Sequence, residues 1–418
     1  MSNRRVVITG IGVISSAGLN PDDWWENITD GKSFVKRIDM FDGYDIKPKP
    51  LAAIIENFDP EKYIADYDKY RPYLDRGMTF AMAAAEYAFN TSGLNQVLDE
   101  QLRERFGIYV GTTTGGICSA FDVGVKCANG FEQTNDKIIY SFPPASWPAL
   151  LASRFEAEGI LRVAGTSCYA GSEILGLCYR DIKDGKTNVA IVGGLDAPIV
   201  LTNYLSFLNI GAMSSDPGEA DKVCRPFSKD RTGMVFGEGA AFFVVEELEE
   251  ALKRKAHIYA EISGYAATSD GESMVKPSTE GNRWADAITS VLKESAISAD
   301  DIDYVSCHGT GTLYNDKAEV RAIKLALGKN TNAKIGSIKS MIGHSFGGAC
   351  ALEIAQIIKT FETDILPPTI NYSEKDEECD MDVVPNNKIE NYRCNYILKT
   401  ATGFGGSNLA LVFKRWDE

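Results

Sequence analysis

The sequence predicts an α/β fold built from two halves of broadly similar length. Three observations support this: β-branched runs end in glycine-rich turns, they alternate with helical patterns, and a charged segment at residues 246–255 divides the chain. With 418 residues, the chain is also longer than one ordinary core requires. We therefore predict an N-terminal half over residues 1–250 and a C-terminal half over residues 251–418.

Seven segments are predicted as strands because β-branched and other apolar residues dominate them. Both halves begin with a strand that runs into a glycine turn, at residues 6–10 and 258–264, as an internal duplication would produce. The glycines also interrupt the N-terminal apolar run, which therefore favours a strand over a signal peptide. The seven segments are residues 5–14, 106–109, 189–192, 240–245, 258–262, 304–307 and 409–413.

Three helices are predicted with the most distinct patterns. Residues 79–90 are rich in alanine, and residues 173–183 and 316–327 repeat apolar side chains at helical spacing. Residues 371–382 are acidic and lack a pattern, so we expect a surface loop there.

Composition excludes several classes of protein. The net charge of −15, without a lysine and arginine cluster, argues against nucleic acid as a partner. No apolar run approaches the roughly 18 residues that a membrane span needs. The nine cysteines have no close pairing, which argues against a disulfide framework and a zinc site. We expect a cytoplasmic protein that holds no metal.

Cys168 is the candidate nucleophile. A predicted strand at residues 161–164 leads through a short turn to Cys168, and the following apolar spacing predicts a helix. Unpaired N–H groups and the dipole at a helix N-terminus favour a thiolate, so we expect a lowered pKa. The alternative is a buried cysteine that acts only as a small apolar side chain.

The chain has only three histidines, and two of them have distinctive surroundings. His257 lies in a charged segment and is expected on the surface. His308 and His344 lie in glycine-rich turns at the end of a strand and the start of a helix, where functional side chains often converge. Each alone could be a structural residue.

One cysteine with two histidines restricts the possible chemistry. A cysteine protease uses one histidine with an orienting Asn or Asp, which leaves the second unexplained, and a metal would need a third clustered ligand. Decarboxylative condensation uses all three. A thiolate accepts an acyl group, and two imidazoles stabilise the enolate that forms when a malonyl thioester loses CO2. Backbone N–H groups of Cys168 and of the turn at residues 403–406 could bind the oxyanion.

Motifs along nearly the whole chain resemble one known family. The sequence is similar to the elongating β-ketoacyl-[acyl carrier protein] synthases of the thiolase-like superfamily. The motifs are VVITGIGVISSAG from residue 6, RPFSKDRTGMVFGEGA from residue 225, HGTGT from residue 308, KSMIGHSFGGA from residue 339, LPPTIN from residue 366 and GFGGSN from residue 403, with FD at 41 and FDP at 58.

The resemblance implies a thiolase-like five-layered αβαβα fold made of two similar halves. It implies roles for the following residues: Cys168 as the acyl nucleophile, His308 and His344 as paired donors, Lys339 and Glu353 as supporting charges, Phe404 and Gly405 in an oxyanion-binding gate, and Thr310 and Thr312 along the substrate channel.

The same resemblance implies partners. Acyl and malonyl groups would arrive on an acyl carrier protein, whose phosphopantetheine carries them, so the chain itself would need no cofactor. A dimer is expected, either of two identical chains or with a ketosynthase-like chain-length factor.

Departures from the family pattern bear on the pathway. Tyr169 follows the nucleophile where a small residue is usual, Ala401 and Thr402 replace Ser-Phe, Val275 replaces a common threonine, and Ala120 is expected to permit a wider acyl pocket. The expected docking segment at residues 66–77 interleaves acidic with basic residues, which would weaken encounter with an acidic carrier.

Three functions therefore stay open. The departures favour the active ketosynthase of a specialised type II polyketide or aryl polyene pathway over general fatty-acid elongation. A non-catalytic chain-length partner is disfavoured because the nucleophile is present.

Overall fold

The strands and helices of the protein follow the predicted alternation. The computed structural model describes residues 4–128, 130, 140–274 and 277–417. Its strands are β1 (Val6–Ser15), β2 (Lys36–Arg37), β3 (Leu51–Ala53), β4 (Phe106–Gly111), β5 (Leu161–Ala164), β6 (Val189–Asp196), β7 (Phe236–Gly237), β8 (Gly239–Glu247), β9 (Ala260–Ser269), β10 (Tyr304–Ser306), β11 (Lys334–Gly336), β12 (Tyr396–Gly403) and β13 (Ser407–Arg415).

The α-helices of the described residues lie between these strands. They are α1 (Pro21–Thr29), α2 (Tyr67–Tyr70), α3 (Arg76–Thr91), α4 (Glu100–Glu104), α5 (Ile117–Ala128), α6 (Ser146–Phe155), α7 (Ala170–Lys183), α8 (Leu201–Asn209), α9 (Leu248–Lys253), α10 (Asn282–Glu294), α11 (Leu313–Leu327), α12 (Lys339–Ile342) and α13 (Gly347–Thr363). None of these helices combines the length with the apolar character that crossing a bilayer requires.

Ten strands form one sheet that consists of two matching runs. The order is β11-β10-β12-β13-β9-β1-β8-β6-β4-β5, and the runs join where β1 pairs with β9. Outward from that junction, each run has two antiparallel pairings followed by two parallel pairings. The two halves therefore share one topology, as the resemblance implied.

Five layers result from how the helices pack on these runs. Helices α7 and α13 lie between the two runs, since α7 packs on β4 and β6 and also on β9 and β13. Helices α3 and α6 cover the outer face of the first run, and α10 with α11 cover the second. The apolar cores between these layers confirm the αβαβα arrangement.

The predicted glycine turns at the start of each half are wrong. Gly10 and Gly12 lie inside β1, and Gly264 lies inside β9. A Cβ atom at Gly12 would lie 1.9 Å from the carbonyl oxygen of Ala84 in α3. These glycines therefore let a helix backbone approach the strand, and they do not end it.

Most predicted elements are confirmed with shifted ends. Helix α3 begins at Arg76 rather than residue 79, because the Asp75 carboxylate accepts a hydrogen bond from the N–H of Met78 and caps the helix. The segment at residues 246–255 is the end of β8 followed by α9. The acidic segment at residues 371–382 is largely a loop with one short 3₁₀ turn.

Candidate active site

The predicted functional residues lie at the carboxyl ends of strands from both halves. Cys168 follows β5, His308 follows β10 and Phe404 follows β12, while His344 lies between α12 and α13, after β11. Ligand sites of open α/β sheets form at this edge. The topology therefore brings together side chains that are far apart in sequence.

One cavity of about 190 Å³ connects these residues. Cys168, His308 and His344 line it, and so do Thr310, Thr312 and Phe404. Its lining also includes Ile210, Leu313 and Tyr314, which are more than half exposed, so the cavity reaches the protein surface.

Cys168 sits in a tight turn directly before α7. The turn covers Ser167–Tyr169, and Ser167 adopts a left-handed φ of 64°. The Thr113 hydroxyl donates to the Ser167 carbonyl over 2.7 Å, which holds this conformation. Cys168 is only 5% exposed, but its side chain faces the cavity.

The predicted lowering of the Cys168 pKa is wrong for the resting protein. Burial raises the pKa of this thiol to about 12, and the neighbouring Ser167 hydroxyl and the Lys339 charge offset only part of the effect. The thiol is therefore the resting form. Its proton must leave as the sulfur attacks.

The two imidazoles face each other across 5.3 Å between ring centroids, at an angle of 86°. His344 stacks on Phe346, with ring centroids 5.0 Å apart. Nδ1 of His308 and both ring nitrogens of His344 are buried without a hydrogen-bond partner among the described residues. Buried polar atoms are seldom left unpaired, so these nitrogens are suited to a bound ligand.

Both imidazoles are held in the neutral form. Burial is the main cause that lowers the pKa of His308 and of His344 well below the ordinary value, and the positive charge of Lys339 adds to it. A neutral imidazole has one N–H to donate. The pair can therefore donate two hydrogen bonds to one oxygen.

Backbone contacts fix the position of each histidine. The N–H groups of His308 and Gly309 donate to the Glu319 carboxylate over 2.6 and 2.8 Å. The N–H of His344 donates to the Val235 carbonyl over 2.7 Å. Burial raises the pKa of Glu319 to about 7. The sequence analysis missed Glu319, although it lies one helical turn after Asp316 behind the HGTGT motif.

A buried chain of charges supports the histidine pair. Lys339 donates to the His308 carbonyl over 2.6 Å and to the Glu353 carboxylate. The other oxygen of Glu353 lies 2.8 Å from Nζ of Lys399. None of these three side chains is more than 1% exposed, so Lys339 is not a surface lysine. Lys399 was missed, because it lies in a strand that was not predicted.

Three possible metal ligands cluster at the base of this site. One ligand atom from each of His308, Cys350 and Glu353 lies within 4.8 Å of the others. The sequence analysis found no third ligand near the histidines. Both oxygens of Glu353 already contact ammonium groups, however, which opposes a further cation. The expectation of a metal-free site therefore stays a prediction.

Phe404 lies at the cavity entrance in the turn between β12 and β13. Its side chain is 36% exposed, and its ring centroid is 5.3 Å from that of Phe207. Its N–H donates to the Ser167 hydroxyl over 3.3 Å, directly beside the nucleophile. Gly405 has a φ of 86°, which this turn requires, but Gly405 does not line the cavity.

The two predicted channel threonines contact each other. The hydroxyls of Thr310 and Thr312 lie 3.0 Å apart at the cavity wall. Ala120 is exposed and does not line this cavity, so its predicted effect on pocket width finds no support here. Val275 lies outside the described residues.

The expected docking segment carries balanced charges, since its acidic and basic residues are equal in number. Asp75 is buried as the cap of α3, and Arg76 pairs with Glu238. Arg76 itself stays 45% exposed, and the other exposed charges of the segment are Asp66, Asp68, Lys69 and Arg71.

Comparison with known families adds to this geometry. Residues 3–251 match the family model described as the N-terminal domain of β-ketoacyl synthase, and residues 259–373 match the model of its C-terminal domain. Together the two models cover most of the described residues, including every predicted site residue up to Glu353.

Curated relatives align over the full length. The tetracenomycin polyketide synthase ketoacyl synthase alpha subunit of Streptomyces glaucescens is 35% identical and covers 100% of this chain and 98% of its own length. A 3-oxoacyl-[acyl-carrier-protein] synthase 2 of Synechocystis is 33% identical over 100% of this chain and 99% of its own.

Solved structures have the same architecture. A ketosynthase in complex with a type II PKS acyl-carrier protein and bound to a hexaketide is 30% identical, with a TM-score of 0.87 over 99% of this chain and 100% of its own. The ishigamide ketosynthase/chain length factor is 31% identical, with a TM-score of 0.89 over 99% and 100%.

Proposed function

Because this chain belongs to the β-ketoacyl synthase family, we propose that it is an active condensing enzyme that extends an acyl chain on Cys168 with a malonyl unit. One observation carries this proposal: the thiol of Cys168 opens on the same cavity as two neutral imidazoles with unpaired ring nitrogens. A non-catalytic partner would not need that arrangement. The chain-length-factor role is therefore disfavoured.

The first half of the reaction loads the acyl group. The Cys168 sulfur attacks the thioester carbon of an acyl carrier, and the sulfur–carbon bond to the carrier breaks. The thiol proton leaves to the departing carrier sulfur, since burial keeps this thiol protonated at rest. The N–H groups of Cys168 and Phe404 are the proposed donors to the carbonyl oxygen.

The second half forms the new carbon–carbon bond. A malonyl thioester places its carbonyl oxygen between His308 and His344, and CO2 departs with the bond electrons left in an enolate. The enolate carbon attacks the acyl carbonyl on Cys168. The tetrahedral intermediate then expels the Cys168 thiolate, which takes up one proton from solvent. The product is a β-ketoacyl chain on the carrier.

Carrier-bound substrates suit the shape of this cavity. Thr310 and Thr312 line its wall, and the exposed apolar side chains of Leu313 and Tyr314 lie where it reaches the surface, a path that suits a flexible phosphopantetheine arm. We propose an acyl carrier protein as the partner, as in the solved ketosynthase complex. The arm comes with the carrier, so the chain needs no cofactor of its own.

A second chain completes the assembly that we propose. Strand β5 ends the ten-stranded sheet, and Leu161 in it is 45% exposed. This edge could pair with an identical chain or with a chain-length factor, as the name of one structural relative indicates. We propose a cytoplasmic location, where the nine free cysteines would stay reduced.

The pathway we favour is a specialised type II polyketide or aryl polyene pathway. The tetracenomycin relative supports this assignment. General fatty-acid elongation is the second candidate, because the Synechocystis relative is a 3-oxoacyl-[acyl-carrier-protein] synthase. Complementation of a fatty-acid condensing mutant would favour the second candidate. Dependence on a co-expressed homologue that lacks the cysteine would favour the first.

The experiment that tests the function separates loading from decarboxylation. Cys168→Ala should abolish acyl loading in intact-mass measurements, whereas His308→Ala and His344→Ala should load but release CO2 at least about a hundredfold more slowly. Cys127→Ser is the matched control, because Cys127 is exposed and does not line the cavity. Loading that survives in Cys168→Ala, or is lost in Cys127→Ser, would overturn the assignment.

A further inference from the structure

Lys399 is a buried cation that the proposed chemistry does not yet use. It lies in the middle of β12, and its side chain is 0% exposed. Its Nζ lies 2.8 Å from Glu353 Oε2 and donates to the backbone carbonyls of Ser306, over 3.4 Å, and Thr400. A lysine buried this completely requires such partners, because desolvating an unpaired ammonium is costly.

The partners of Lys399 connect it to the histidine pair. Glu353 is shared between Lys399 and Lys339, and Lys339 in turn donates to the carbonyl of His308. Ser306, which accepts from Lys399, lies two residues before His308 at the end of β10. Lys399 is therefore connected to His308 in two ways: through the side chains of Glu353 and Lys339, and through the backbone of Ser306.

The charges of this cluster do not cancel. Two ammonium groups face one carboxylate of Glu353, and Glu319, which accepts from the His308 N–H, is only partly ionised near neutral pH because burial raises its pKa to about 7. Lys339 with Glu353 alone would form a neutral pair. Lys399 therefore adds the positive charge that remains beneath the imidazoles.

We propose that Lys399 is a positioning residue for the decarboxylation half of the reaction, holding Glu353 in place and supplying the positive potential under which the enolate forms. This inference rests on the condensing function proposed above. A fixed positive charge close to a developing negative one stabilises the transition state without reorganisation. Lys399 contacts Glu353 and the carbonyls of Ser306 and Thr400 rather than Cys168, where acyl loading takes place, so loading should depend on Lys399 much less.

The same charge contributes to keeping the histidines neutral. Burial, Lys339 and Lys399 all lower the pKa of His344, and the same causes, together with His344, lower the pKa of His308. Removal of the Lys399 charge should therefore raise both values. The ionisable groups that surround the pair are Lys339, Lys399, Glu353, Glu319, Cys350 and Cys168.

Lys399→Met tests the proposal, because methionine keeps most of the side-chain volume and removes the charge. We expect kcat for malonyl-carrier decarboxylation to fall about tenfold, less than the roughly hundredfold that loss of a direct donor costs. The pH at which decarboxylation falls off on the acid side, along the acid limb of its pH profile, should rise by about half a unit or more, since the histidines of the variant protonate at higher pH. The rate of acyl loading should change less than about twofold.

Two further variants sharpen this test. Lys399→Arg keeps the charge and should return the acid limb toward its wild-type position. Lys253→Met removes an exposed lysine of α9 and should change none of these quantities. Circular dichroism checks that each variant is folded. Lys399→Gln, which keeps donors for the two carbonyls, replaces Lys399→Met if that variant does not fold.

The possible results separate this proposal from the function itself. An unmoved acid limb, or an equal fall in loading and decarboxylation, would make Lys399 a purely structural residue. Failure of both Lys399→Met and Lys399→Gln to fold would also make Lys399 a structural residue, because the proposal requires the protein to fold when Lys339 and Glu353 pair without Lys399. A wild-type protein that neither loads acyl groups nor releases CO2 would instead refute the proposed function.

Discussion

Substitution of Glu353 by glutamine should destabilise the protein strongly. Each oxygen of this carboxylate contacts an ammonium group, from Lys339 on one side and Lys399 on the other. All three side chains are at most 1% exposed, so water cannot replace the lost charge. Removal of one partner from a buried ion pair costs about 3–5 kcal/mol. That loss is a large share of the roughly 5–15 kcal/mol that stabilises a folded domain.

The assay is urea unfolding followed by circular dichroism, for wild type and Glu353→Gln under identical conditions. Asp286→Asn is the matched control, since its ion pair with Arg283 is more than half exposed on both sides and should contribute less than about 1 kcal/mol. A loss in Glu353→Gln no larger than in the control would refute the buried charge chain.

The pH dependence of this loss has a definite sign. Glu353 raises the pKa of Lys399 above its ordinary value of 10.5, so the pair stabilises wild type fully below that pH and less as pH rises through the raised value. In the variant, an unpaired buried lysine loses its proton more easily, and its cost falls as pH rises. The difference between the two proteins should therefore narrow above about pH 10. A difference that widens would contradict this electrostatic origin.

Two further predictions concern the histidines and the packing beneath the nucleophile. Because the pKa values of His308 and His344 are lowered, nuclear magnetic resonance should show both imidazoles still neutral at pH 6.5. Titration of either imidazole near pH 6.5 would contradict the burial argument. Gly171→Ala would place a Cβ atom 2.4 Å from the Gly347 carbonyl oxygen and should push α7 away from α13. We expect it to lower the free energy of unfolding by about 1–3 kcal/mol and to slow acyl loading. The control Gly43→Ala, whose Cβ would have no atom within 4 Å, should change neither stability nor loading.

The layered fold followed from the sequence because strands and helices alternate with clear periods. The ends of those elements did not, since they depend on contacts outside the local pattern. Asp75 starts α3 three residues early through one side-chain hydrogen bond. Gly12 resembles a turn residue, but its reason is the approach of the α3 backbone, which only the packed structure reveals.

The reactive side chains were predictable, but their supporting network was only partly so. Cys168, His308 and His344 stand in short, distinctive motifs. Lys399 is the one charged residue of β12, and only the position of β12 between β10 and β13 brings it to Glu353. Such a lysine among β-branched residues is the one signal that could have indicated it. The pKa of Cys168 was mispredicted because a helix N-terminus is visible in a sequence, whereas the burial of the thiol is not.

The central claim is that His308 and His344 both donate to one enolate oxygen, in the same cavity that holds the reactive sulfur of Cys168. Its most direct measurement is the release of ¹⁴CO2 from labelled malonyl carrier by His344→Ala that already carries an acyl group on Cys168. The account predicts an intact acyl-enzyme mass together with nearly complete loss of CO2 release. Release at the wild-type rate from this acyl-enzyme would contradict it.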